Sequence, residues 1–140
     1  MPTVAFCPTL TDINPYANTF ALPTAPYVIS PPNGDARWVT HVAAQLAGTA
    51  DALILVLVGP ASVHAPALGF SRKALRAPAV GYYLVDPEMP EIGGEYGDWP
   101  DAPVTIVLTD NAPEYAHEAA RQAQLRGWKV STEPLEKLLS

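Results

Sequence analysis

Positive charge, cysteine and long apolar runs are all scarce in this sequence, and each shortage excludes a class of function. Eight Lys and Arg stand against fourteen Asp and Glu over 140 residues, a net charge of −6. Phosphate repulsion would go uncompensated, so neither nucleic acid nor an anionic membrane is an expected partner. Arg72, Lys73 and Arg76 form a short basic group, and their spacing predicts the solvated face of a helix rather than a phosphate site. The single Cys7 cannot form an intramolecular disulfide and fits a reducing compartment. No apolar stretch approaches the ~20 residues that cross a bilayer, and the opening MPTVAFCP lacks the features of a secretory signal. A cytoplasmic protein is the expectation. Metal-ligand spacings are missing too: His41, His64 and His117 are isolated, and neither H-x-x-x-H nor C-x-x-C occurs. No glycine-rich nucleotide-binding motif follows an apolar run. The sequence therefore predicts no metal and no cofactor.

What is present points to a packed globule. Nearly half the residues are apolar (49%) and 16% are charged, a balance that favours one compact domain over residues 1–140. Sixteen prolines fall mostly just outside apolar runs, where they delimit elements. Strands are expected at residues 3–7 (TVAFC), 26–30 (PYVIS), 52–58 (ALILVLV), 80–85 (VGYYLV), 104–108 (VTIVL) and 128–131. The run ALILVLV has no polar alternation, the mark of a central parallel strand buried on both faces. Helices are expected from an Asp35 N-cap to Gly48, over residues 61–76 with Pro66 delaying the start, from an Asn111/Glu114 capping box to a Gly127 C-cap, and over residues 134–139. Strands alternating with helices predict an α/β fold: a mostly parallel sheet of about six strands with helices on both faces. In such sheets ligands bind at the carboxyl ends of the strands. Five places follow: residues 8–12, 31–35, 59–64, 86–88 and 109–111.

The segment after the central strand reads LVLVGPASVHAPAL, and further on the chain reads GYYLVDPEMP and LRGWKV. In these stretches, which span most of the chain in order, it resembles the α/β-hydrolases, particularly small hydrolase-like proteins of actinobacteria. Their central strand enters a VGHSGAG or VPHSNAG elbow and an apolar PAL helix; a VFVDAxLP strand end and a RGWPV strand follow. The resemblance implies that fold, with the lid reduced to the acidic loop at residues 86–101. It also exposes departures. Without gaps, the family's elbow His falls on Pro60, its nucleophile on Ala61, its next glycine on Ser62 and its later glycine on His64. A shift of one residue makes Ser62 the nucleophile, followed by β-branched Val63, which resists the φ > 0 geometry of an elbow. The family's acid corresponds to Asp110 or Asp86. Its base lies in the loop after the last strand, where residues 131–137 (STEPLEK) hold no histidine.

The candidate catalytic residues are therefore Ser62, His64, Asp86 and Asp110. His64 alone among the histidines is placed to approach the crevice, where a pair with Asp86 or Asp110 would support acid–base chemistry. Each has a plainer alternative: Ser62 as a helix cap, the two Asp residues as caps or turn formers. His41 and His117 are expected to be solvated, and Cys7 to be core rather than reactive. Candidate ligand contacts are Thr9, Asp12 and Tyr16 from the long loop at residues 9–24, Pro60 and Ala61 from the turn, and Tyr96 and Trp99 from the acidic loop. Those aromatics either line an apolar pocket or anchor their loop. A sheet short of helical cover further predicts a two-fold homodimer.

Three functions compete. The first is a degenerate hydrolase relative that binds a small, fairly apolar molecule or a protein partner in the crevice. The second is a non-hydrolytic acid–base enzyme, a cyclase, isomerase or dehydratase acting on a natural-product intermediate. The third is an atypical serine esterase.

Overall fold

The computed structural model describes residues 2–34, 37–49 and 52–140. Six strands form one sheet in the order β2-β1-β3-β4-β5-β6, every pair parallel. They are β1 (Thr3–Phe6), β2 (Tyr27–Val28), β3 (Leu53–Val58), β4 (Gly81–Val85), β5 (Val104–Val107) and β6 (Lys129–Ser131). The helices are α1 (Trp38–Ala47), α2 (Ala65–Ala74), α3 (Glu114–Leu125) and α4 (Leu135–Leu139), and a 3-10 segment, Gly59–His64, precedes α2. The α/β fold and the element order agree with expectation.

Strand order and handedness decide which face each connection covers. From β1 to β2 the chain steps one way across the sheet; from β2 to β3 and onward it steps the other way. Right-handed crossovers therefore place the β1–β2 connection on one face and the later connections on the opposite face. Side chains alternate accordingly. Leu53, Leu55 and Leu57 of β3 join Tyr82, Leu84 and Ile106 under α1, α2 and α3. Val56, Val85 and Val107 join Val4 and Phe6 under the 14–22 segment and α4. Helices lie on both faces, three on one and the short α4 on the other. The second face is covered by the 14–22 segment and the short, five-residue α4.

Local chemistry departs from expectation at several points. The Asp35 N-cap lies outside the described residues, and α1 begins after Arg37. The Asn111/Glu114 capping box does not form: Pro113 is the N-cap, and Glu114 instead accepts from Arg121 at 3.1 Å. Arg121 also pairs with Glu118, and an intrahelical ion pair satisfies Glu114 more directly than a reach back past Pro113. Gly127 does close α3, with φ +78° and its neighbour Trp128 N–H bonded to the Ala123 carbonyl at 2.9 Å. Arg72 is not on a solvated face. It is 2% exposed and donates to the Leu46 carbonyl at 2.9 Å, tying α2 to α1. His41 is half-buried, with Nε2 3.0 Å from the Ser30 carbonyl oxygen and 2.6 Å from Gln45 Nε2.

Candidate functional site: two clefts and a closed turn

The turn after β3 should reveal a nucleophile if there is one. Its left-handed residue is Gly59, φ +62°, the first residue past the strand, so the strained corner carries no side chain. Pro60, Ala61 and Ser62 then coil into the 3-10 segment. Ala61 and Ser62 are both 0% exposed, and Ser62 Oγ has no hydrogen-bond partner among the described residues. The structure thus buries Ser62 instead of presenting it. The plainer alternative fails as well: α2 has His64 at its N-cap and no side-chain capping bond. Pro60 is exposed, Ala61 is core.

His64 stacks on Trp38, ring centroids 5.0 Å apart and 27° between planes. Partial burial lowers its pKa below the ordinary 6.5, since desolvation disfavours the imidazolium. Trp38 in turn donates its indole N–H to the Thr9 carbonyl at 2.9 Å. Thr9 Oγ1 accepts from Asp12 N–H at 3.0 Å and Thr9 N–H donates to the Asp12 carbonyl at 2.8 Å, so Thr9 and Asp12 close a turn on themselves. Among the described residues no hydrogen bond or ion pair joins His64 to Asp86 or Asp110.

The two aspartates have separated roles. Asp86 ends β4 with φ +44°, a conformation Asp tolerates better than most residues. Both its carboxylate oxygens are engaged by Thr109, at 2.9 Å from the backbone N–H and 2.5 Å from Oγ1. It is a clasp between the ends of β4 and β5. Asp110, one residue beyond that clasp, is exposed and has no bonded partner among the described residues.

Asp110 lies on the wall of a cleft of about 430 Å³ at the carboxyl ends of β5 and β6. Tyr16 and Phe20 form one wall, Val107 to Asp110 another, and Thr132 to Glu136 the third. Asn14 sets the first wall. Its buried amide donates to the Cys7 carbonyl at 2.9 Å and the Val56 carbonyl at 3.3 Å, and its oxygen accepts from Tyr16 N–H at 2.9 Å. That pins an otherwise irregular segment to the sheet. Phe20 then packs edge-on against Phe6, 6.2 Å between centroids. Burial, with the nearby Asp86 charge adding to it, raises the Tyr16 pKa, so the phenol stays neutral and able to donate. The lining carries Asp110, Glu133 and Glu136 and no basic residue.

Tyr96 and Trp99 stand elsewhere. They line a second cleft, of about 400 Å³, between α2 and residues 95–101 on the helical face. Of the residues singled out from sequence, then, only Tyr16 and Asp110 meet in the strand-end cleft. The loop at residues 9–24, expected as a binding element, also supplies Thr19 and Phe20, whereas residues 132–136 were missed. The rule that ligands bind beyond strand carboxyl ends applies equally to the loop after β6, although that loop holds no histidine. Cys7 is fully buried, and desolvation pushes its thiol up to about 12, consistent with core.

Among the described residues no helix is long and apolar enough to cross a membrane, and no group of His, Cys, Asp and Glu could hold a metal ion. Comparison with protein-family models, with curated proteins and with solved structures finds no match.

Proposed function

We propose that the protein binds a small, neutral or cationic molecule with an apolar body in the cleft at the ends of β5 and β6. The observation that carries this reading is the cleft itself: about 430 Å³, walled by Tyr16, Phe20 and Val107, with free Asp110 at its edge. Its volume is in the range of small-molecule sites, which pair apolar walls with few polar groups. Three carboxylates without a basic residue disfavour an anionic ligand.

Acyl-enzyme chemistry has less support. Ser62 is sealed in the core, Gly59 occupies the left-handed corner, and His64 leans on Trp38 without a carboxylate partner. An acid–base enzyme would rest on Asp110 with neutral Tyr16 across the cleft rather than on His64, and nothing favours it above binding. The α/β-hydrolase ancestry and a role in natural-product biosynthesis belong to the same proposal.

N-phenyl-1-naphthylamine, a neutral dye that brightens in apolar surroundings, tests the reading. It should bind the wild type, and Phe20→Ala should weaken it about tenfold, matching the roughly 1.4 kcal/mol of a partly buried ring. Equal binding by a folded Phe20→Ala variant, or none by the wild type, would refute it.

A further inference from the structure

The second cleft is built around a carboxylate that lacks half its partners. Asp101 Oδ1 accepts from the Tyr82 hydroxyl at 2.9 Å, while Oδ2 is buried with no hydrogen-bond donor among the described residues. A buried carboxylate oxygen without a donor is costly, and a water, an ion or a bound group is among the things that can supply one.

Around Asp101 the walls are aromatic. Phe70 and Tyr96 lie with centroids 5.4 Å apart and 52° between planes. Trp99 is 5% exposed and borders the same space. Phe70 is 58% exposed, so its ring is open to a ligand in the cleft. Glycine at residue 69 lets Tyr82 and Trp99 pack close against α2 at the base: a Cβ there would lie 2.4 Å from the Tyr82 hydroxyl and 2.8 Å from the Trp99 ring. The charged lining is three carboxylates, Glu95, Asp98 and Asp101, against Lys73. Lys73 reaches Asp98 only at 3.8 Å in an exposed pair, the kind that contributes little and yields readily to a competitor.

A donor-hungry carboxylate, ring faces and net negative charge share one complement. We propose that this cleft is a second binding site, on the face opposite the strand-end cleft, for a protonated primary amine on an aromatic or apolar body. The ammonium supplies the hydrogen bond that Asp101 Oδ2 lacks and lies against the rings, where cation–π attraction adds to it. The body covers Phe70.

Isothermal titration with 2-phenylethylamine, 2-phenylethanol and phenylacetate separates charge from shape. The amine should bind about tenfold or more tightly than the alcohol, and phenylacetate not measurably. Asp101→Asn keeps an oxygen for the Tyr82 hydroxyl and should weaken the amine by about tenfold. Phe70→Ala, a change at an exposed position, should weaken it about threefold. Equal affinity for amine and alcohol would overturn the proposal, as would unchanged affinity in a folded Asp101→Asn variant, or no binding of the amine at millimolar concentration. If Asp101→Asn does not fold, the ligand series on the wild type and Phe70→Ala decide the matter.

Discussion

The two faces of this sheet are covered by different means, and the difference decides where a ligand can sit. On one face three helices pack over Leu53, Leu55, Leu57 and Tyr82, with Trp99 wedged between Tyr82 and Trp128 at ring distances of 5.3 and 5.5 Å. On the other, an irregular segment pinned by Asn14 and the short α4 cover a smaller apolar set. A helix satisfies its own backbone; a loop must borrow hydrogen bonds from elsewhere, here from the sheet. The loop-covered face therefore keeps a gap between the 16–20 segment and the chain after β6. That gap is the strand-end cleft. On the helical face a cleft lies between α2 and residues 95–101, where Gly69 lets Tyr82 and Trp99 approach the helix closely.

Substitutions can break this contrast in a graded way. Gly69→Ala should have the largest effect. Its Cβ would collide with the Tyr82 hydroxyl and Trp99, both held in a packed core. Overpacking of this kind costs about 3 kcal/mol, less about 1 kcal/mol returned by helix propensity, leaving roughly 2 kcal/mol. A urea unfolding curve should show that loss. An unchanged or raised midpoint would mean that the helical face is looser than its packing indicates.

A smaller effect is expected at His64, which stacks on Trp38 of the helical face. Burial lowers its folded-state pKa, so the unfolded chain binds the proton more readily. The stability it contributes is full above the unfolded value of about 6.5 and is lost as pH falls from there through the folded value. His64→Phe keeps a ring against Trp38 and removes the titration. Between about pH 7 and pH 5 the wild type should lose more of its thermal midpoint than this variant. Parallel curves would show that His64 is not desolvated by its stack.

Much of the architecture was legible in the sequence, for reasons that can be named. ALILVLV announces a strand buried on both faces, and in the structure β3 lies between β1 and β4. Pro66 delays α2, and Gly127 ends α3 in the left-handed conformation. These signals are local. The site was less legible because its parts are brought together by register and handedness. Tyr16 and Trp99 look alike as loop aromatics, yet right-handed crossovers send them to opposite faces of the sheet. Ser62 looked like a nucleophile or a cap because it follows a strand, but the left-handed residue of that turn is Gly59, three positions earlier. Asp86 and Asp110 could not be ranked until the Thr109 clasp showed that one carboxylate is occupied and the other free.

The most direct measurement of the central claim is backbone amide shift mapping during titration with N-phenyl-1-naphthylamine. Binding at the strand-end cleft predicts shifts concentrated at residues 16–20, 107–110 and 132–136, with the turn at residues 59–64 unmoved. Shifts concentrated at residues 59–64, or confined to residues 66–74 and 95–101, would contradict it.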